Sequence, residues 1–265
     1  MNQTTNHRLR RGIYLLPSLF TVGNLLCGYW SILSSAHGSV ADLDRAAKLI
    51  GVAVVLDGLD GRVARMSNAS SPFGKEFDSL ADIVSFGIAP AFLALKWGLL
   101  SLDPSLASNP VLVQNIYKLG WVATFAFLIC GAWRLARFNI QAGESADLGP
   151  SAHRYFIGLP IPAGAGVIAA VVHAAREPIT AWYWAAAWLA LVFGLAFLMV
   201  STIRYPSFKS VDFRRRRPSV VIVLIGLLVW LIVVYSQEVL LFIAMLYLLS
   251  GLVAVARRRL LGHAV

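Results

Sequence analysis

Charge is what this chain has least of. Charged residues make up 14% of its 265 positions, where ordinary soluble domains carry roughly 25%. No polar stretch is long enough to fold as a separate soluble domain, and the 58% hydrophobic content belongs in lipid. Cysteine is nearly absent. Cys27 and Cys130 both lie inside apolar runs, which excludes a disulfide framework and leaves them as small packing groups. The N-terminus, with Arg8, Arg10 and Arg11, is too polar for too long to read as a cleaved signal peptide and is expected to be retained. Acidic residues are also few, 13 against 23 Lys and Arg, for a net charge of +10. Nucleic acid is nevertheless excluded as a partner, because the basic residues are confined to loops between apolar runs. Anionic lipid headgroups and phosphate-bearing substrates fit that distribution. The five histidines form no coherent metal-binding group.

What is present is a series of apolar runs. About 20 apolar residues cross a bilayer, and eight such stretches are expected, at approximately 16–36, 44–65, 76–100, 116–139, 156–175, 181–203, 218–236 and 239–257. An all-α, polytopic integral membrane protein follows. Gly158, Pro160, Pro162, Gly164 and Gly166 predict a bent or closely packed start to the fifth helix rather than a break. Residues before Pro17 read either as a short basic surface helix or as a tail. No internal repeat suggests the inverted halves of a transporter.

Basic residues set the orientation. With the N-terminus inside, one side collects Arg8, Arg10, Arg11, Arg62, Arg65, Lys75, Arg134, Arg137, Arg154, Arg204, Lys209, Arg214 to Arg217 and Arg257 to Arg259. The other keeps Arg45, Lys48, Lys96, Lys118 and Arg176. Both termini are therefore expected on the cytoplasmic side of a bacterial inner membrane. The run Arg214 to Arg217 reads as a stop signal that also attracts anionic lipid.

Against this background four aspartates stand out. Asp57 and Asp60 end one apolar run; Asp78 and Asp82 open the next. A carboxylate at a membrane edge is expensive unless it meets a cavity, a partner or a cation. The i, i+3 and i, i+4 spacings put each pair on one helix face. Two such faces turned together offer the hard oxygen ligands of Mg2+ or Mn2+. The first three can hold one cation, or two close together, bridging to a pyrophosphate. Asp82, at the edge, can accept a proton from an attacking hydroxyl. Gly61 and Ala64 leave room for a flat group against the helix, and Arg65 can clamp phosphate oxygens with its planar fork. Gly74 is expected to allow a tight loop before the third helix.

The full pattern, D-x2-D-G-x2-A-R-x8-G-x3-D-x3-D from Asp57 to Asp82, resembles the signature of the CDP-alcohol phosphotransferases at every fixed position. The resemblance implies integral membrane enzymes with a six-helix core, typically homodimeric, that move a phosphatidyl or similar group from a CDP-linked lipid to an alcohol and release CMP. It also implies that Asp57, Asp60 and Asp78 bind the metals, Mg2+ or Mn2+, as two ions. Asp82 is then the base and can share a metal. The two remaining C-terminal helices would lie outside that core, dividing the chain into 1–210 and 211–265.

Weaker signals resemble one branch of that family, the phosphatidylserine synthases. They are the segments around Leu19 to Tyr29, Arg134 to Asn139, Phe156 to Ala163 and Val200 to Lys209. The implied substrates are CDP-diacylglycerol and L-serine. Many relatives carry Pro-Asn where this chain has Pro17-Ser18, so Ser18, Thr21 or Asn24 is expected to replace that nucleotide contact. Arg134, Arg137 and Asn139 are the expected acceptor or phosphate pocket, with Arg154, Arg204 and Lys209 as weaker candidates. Three alternatives stay open here. They are the same chemistry with glycerol 3-phosphate or inositol phosphate, a divalent-cation transporter using the aspartates in transit, and a membrane scaffold.

Overall fold

Gly38 and Ser39 turn the chain between its first two helices. Gly38 takes the left-handed conformation, with φ +77°, which glycine adopts without a Cβ penalty. Ser39 then caps the second helix: the Asp42 amide donates to its Oγ at 3.1 Å, and its hydroxyl donates to Asp42 Oδ2 at 2.6 Å, an arrangement that satisfies an otherwise orphan amide of the first turn. The two helices, α1 (Gln3–His37) and α2 (Val40–Ser67), pack along their length. Ala46, Ala47, Ile50 and Ala53 are the buried face of α2, small enough for close approach. The helix α1 runs unbroken through Pro17, so of the two readings of the N-terminal stretch the structure has a helix. A computed structural model describes residues 3–67, 72–100, 102, 110–144, 155–206 and 218–261.

Six further helices complete the described residues. Helix α3 spans Pro72–Gly98 and contains a π-helical turn, Ile83–Ile88, in which the Ala89 amide reaches back to the Val84 carbonyl. Helix α4 (Pro110–Glu144) packs against α6 (Trp182–Val200) and against the π turn. Helix α5 (Ile161–Ala175) lies between α2 and the last helix. Helices α7 (Pro218–Val234) and α8 (Ser236–Leu261) meet at Tyr235. Trp188 of α6 is a packing residue: its indole N–H donates to the Ala94 carbonyl at 3.0 Å, and its ring meets Trp97 edge-on at 4.9 Å. Trp182 and Trp184 are exposed, as interfacial anchors are.

Among the described residues, four helical runs are long and apolar enough to cross a membrane: Pro72–Gly98, Val111–Gln141, Trp182–Val200 and Ser236–Val253. The chain is a helical, polytopic integral membrane protein by these spans and by its composition.

One expectation fails around the fifth and sixth stretches. The chain is extended, not helical, over Tyr155–Ile157, and this strand, β1, pairs antiparallel with β2 (Arg204–Pro206), Phe156 standing opposite Tyr205. The reason lies at Gly158. Its φ is +79°, its amide donates to the Ile203 carbonyl at 2.8 Å, and a Cβ there would run into the Met199 carbonyl. Pro160 then caps α5, which starts only at Ile161. The apolar run is continuous in sequence, but positive φ and proline geometry cut the helix to 15 residues.

At the opposite end of the bundle, His173 of α5 joins three helices. Its Nδ1 bonds the Asp44 carboxylate of α2, and its Nε2 meets Ser236 Oγ of α8 at 2.9 Å. Lys48 completes the group with an ion pair to Asp44 at 2.8 Å. Beside it, Arg176 donates to Gln237 Oε1 at 2.8 Å. Asp44 lies thirteen residues before Asp57 on one helix, about 20 Å at 1.5 Å per residue.

Candidate functional site

Three helices converge on the acidic residues. Asp57 and Asp60 come from α2, Asp78 and Asp82 from α3, and α1 supplies Thr21 and Asn24. Asp57, Asp78 and Asp82 each bring a carboxylate oxygen to within 4.8 Å of the others. Asp60 stands beside this trio with a different partner: the Thr21 hydroxyl donates to its Oδ2. Asn24 donates its amide N–H to Asp82 Oδ1 at 3.2 Å.

The oxygens left over decide what the site can hold. Asp60 Oδ1, Asp78 Oδ1 and the Asn24 carboxamide oxygen are buried and without a hydrogen-bond partner among the described residues. Buried acceptors are ordinarily paired, and like-charged carboxylates this close repel. A hard divalent cation answers both demands, because it takes oxygen ligands and brings positive charge. The residues present therefore fit a divalent metal at Asp57, Asp78 and Asp82, with Asp60 alongside.

The π turn follows Asp82 directly. Ser85, inside it, is fully buried and donates its hydroxyl to the Asn24 carbonyl at 2.9 Å. Gly28, one turn beyond Asn24 on α1, lies so close to Ser85 that any side chain would collide with it. Together these contacts fix α1 against α3 at the level of the acidic group. Such π turns recur at functional sites.

Arg134 of α4 is the buried cation nearest this chemistry. It is 6% exposed, lies over the Phe138 ring at 5.7 Å and is within electrostatic reach of Asp82. The other two expected acceptor residues each have a bond of their own. Arg137 donates to the Ile157 carbonyl of β1 at 3.2 Å, and the Asn139 amide donates to Ser79 Oγ, next to Asp78, at 2.8 Å.

Gly61 lies half-buried one turn after Asp57 on α2, whose backbone continues through Ala64 and Arg65. The Ala64 and Arg65 side chains fall outside the described residues, as do Arg154, the Arg204 side chain, Lys209, His153 and the run Arg214 to Arg217. Gly74 departs from expectation: it sits inside the first turn of α3, which already begins at Pro72. Proline at a first helical position loses no hydrogen bond and presets φ, so the helix starts earlier than the apolar pattern. Asn24 is a candidate nucleotide contact in the sequence, and its bond to Asp82 is not legible there. Neither are Ser79, Ser85 and the π turn, which have no signature in a single sequence.

Residues 14–196 match the family model described as CDP-alcohol phosphatidyltransferase. Among similar proteins is the CDP-diacylglycerol–serine O-phosphatidyltransferase of Helicobacter pylori (strain ATCC 700392 / 26695), 35% identical over 242 residues and 91% of each chain. The protein of that name from Bacillus subtilis (strain 168) is 33% identical over 196 residues, 74% of this chain and 92% of its own. That from Methanocaldococcus jannaschii is 36% identical over 182 residues, 69% of this chain and 74% of its own. An acidic group that fits a divalent metal and these similarities lead to one conclusion: the chain belongs to the CDP-alcohol phosphatidyltransferase family.

Proposed function

We propose that this protein transfers the phosphatidyl group of CDP-diacylglycerol to the hydroxyl of L-serine, giving phosphatidylserine and CMP. The observation that carries the reading is the buried Arg134 within reach of Asp82. It puts a carboxylate-binding fork beside the group that would take the hydroxyl proton. The names of the similar proteins in Helicobacter, Bacillus and Methanocaldococcus support serine as the acceptor.

Each residue has a role in this scheme. Asp57, Asp60, Asp78 and Asp82 would hold Mg2+ or Mn2+, as two ions. When bound, the metal neutralises pyrophosphate charge and stabilises the leaving phosphate oxygen. Asn24 orients the Asp82 carboxylate, which accepts the serine hydroxyl proton as its oxygen attacks the lipid-linked phosphorus. The bond from that phosphorus to the CMP oxygen breaks, and Arg65 holds the CMP phosphate. Thr21, Gly61, Ala64 and Gly74 line the CDP-lipid side. Arg134 binds the serine carboxylate, while Arg137 and Asn139 hold the neighbouring strand and α3 in register. Displacement is direct, since Ser79 and Ser85 donate their hydroxyls to the Lys75 and Asn24 carbonyls and no histidine adjoins the acidic group among the described residues to activate them.

The protein works as a homodimer in a bacterial inner membrane, with eight spans, both termini and the acidic site on the cytoplasmic side. Residues 1–210 form the catalytic part and 211–265 a basic loop with two further helices. The test is CMP release by purified protein with CDP-diacylglycerol and Mg2+ or Mn2+, one alcohol at a time. Release with serine is expected. Release with only glycerol 3-phosphate or inositol phosphate would reassign the acceptor. Metal uptake into vesicles without CMP release would favour a transporter.

A further inference from the structure

Helix α8 lies beyond the residues matched by the family model, which end at 196, yet it is fixed at two levels. At one end Ser236 bonds His173 of α5, and Gln237 bonds Arg176 just past the end of that helix. Eleven residues along α8 from Ser236, about 16 Å, the Tyr247 ring stacks on Tyr205 with centroids 5.7 Å apart and planes at 29°. Tyr205 belongs to β2 and is fully buried. One turn further, Gly251 meets the same ring, leaving no space for a Cβ. The stack therefore fixes both the depth and the rotation of α8.

The stack sets the Tyr247 ring on the strand pair that also bonds Arg137, one turn along α4 from Arg134; Tyr247 and Arg134 interact electrostatically, as do Arg134 and Asp82. A guanidinium has five N–H donors in a rigid fork and accepts nothing, so a buried one needs oxygens to set its plane. A phenol oxygen accepts such a bond and, held by its ring stack, cannot wander. The short strand pair gains a purpose here. It carries Tyr205 under α8, and its other strand accepts the Arg137 bond at Ile157, so both arginines of α4 are referenced to one small platform.

We propose that Tyr247 is a positioning residue for the acceptor site: its hydroxyl orients the Arg134 guanidinium toward the acceptor's anionic group, making α8 part of the enzyme's specificity apparatus. This rests on the reading of Arg134 as the acceptor's cation. It separates the last two helices in role: among the described residues α8 packs on α5 and on β2, whereas α7 packs on α8.

The test compares wild type, Tyr247→Phe and Tyr247→Ala as full-length protein, by CMP release and thermal unfolding. Tyr247→Phe keeps the stack and loses the hydroxyl. It is expected to raise the serine KM roughly ten- to hundredfold, the scale of one hydrogen bond to a charged group. Its KM for CDP-diacylglycerol, its kcat and its Tm should stay near wild type. Tyr247→Ala should lose stability as well, with Phe restoring Tm but not the serine KM. A Phe variant with wild-type serine KM, or with both KM values raised together, overturns the proposal. The comparison uses whichever alcohol the wild type turns over. An acceptor other than serine would overturn the serine reading while still measuring Tyr247. No turnover with any alcohol would overturn both.

Discussion

Asn24 and Asp82 are 58 residues apart in sequence and joined by one hydrogen bond of 3.2 Å between α1 and α3. The same asparagine accepts the Ser85 hydroxyl through its backbone carbonyl. One residue thus fixes the carboxylate and the turn that follows it.

Asn24→Ala should therefore lower kcat while leaving the KM for CDP-diacylglycerol nearly unchanged. A loss of roughly tenfold or more is expected for a group that aims a general base. Steady-state CMP release at saturating metal checks this; an unchanged kcat would remove Asn24 from the machinery.

Asp82→Asn should abolish turnover, by at least two orders of magnitude for loss of the base, and spare binding of the CDP-lipid. Turnover and equilibrium binding of CDP-diacylglycerol are measured on the same preparation. Full retained activity would sink the role assigned to Asp82.

Chelation should stop CMP release, and added Mg2+ or Mn2+ should restore it. Asp57→Asn and Asp78→Asn should raise the metal concentration needed for half-maximal rate, because each takes a charged oxygen from a group within 4.8 Å. Thr21→Val should act in the same assay through Asp60, whose carboxylate loses the hydroxyl that holds it. Metal titrations of the three variants that overlay on wild type would count against a metal at this site.

His173→Ala should destabilise the protein by roughly 1–3 kcal/mol, the range for stripping partners from a buried polar group. The imidazole is 4% exposed and links α2 to α8. Thermal unfolding in detergent checks it. Activity at low temperature should persist, since the pair lies far from the acidic group.

Gly158→Ala should cost about 2 kcal/mol or more, from positive φ and from the collision of its Cβ with the Met199 carbonyl. The expected readout is a lower Tm together with a raised serine KM, because the strand beside it anchors Arg137.

The site was legible where chemistry imposes fixed spacing. Asp57 and Asp60 at i, i+3 and Asp78 and Asp82 at i, i+4 each share a helix face, and their charge in an apolar chain betrays them. The burial of Arg134 and the separate partners of Arg137 and Asn139 were not legible: residues three and five positions on meet different neighbours, which periodicity cannot assign. The strand pair at Tyr155 and Arg204 was hidden because apolar composition reads alike in a strand and a helix end. Only Gly158 and Pro160 hinted at it. Tyr205 and Tyr247 were invisible, since a stack between residues 42 positions apart leaves no local pattern.

The π turn at Ile83–Ile88 has a consequence for how this helix can vary. An uninterrupted α-helix would lock the azimuth of Asp78 and Asp82 to that of the apolar segment Ala89–Gly98 below, through the fixed 100° per residue. The wider turn absorbs an additional residue and shifts the phase between the two halves. The carboxylates can then keep their angle to Asp57 while Leu93, Trp97 and their neighbours keep theirs to the bundle. Catalytic aim and membrane packing in α3 are thereby tuned as two separate settings on one rod.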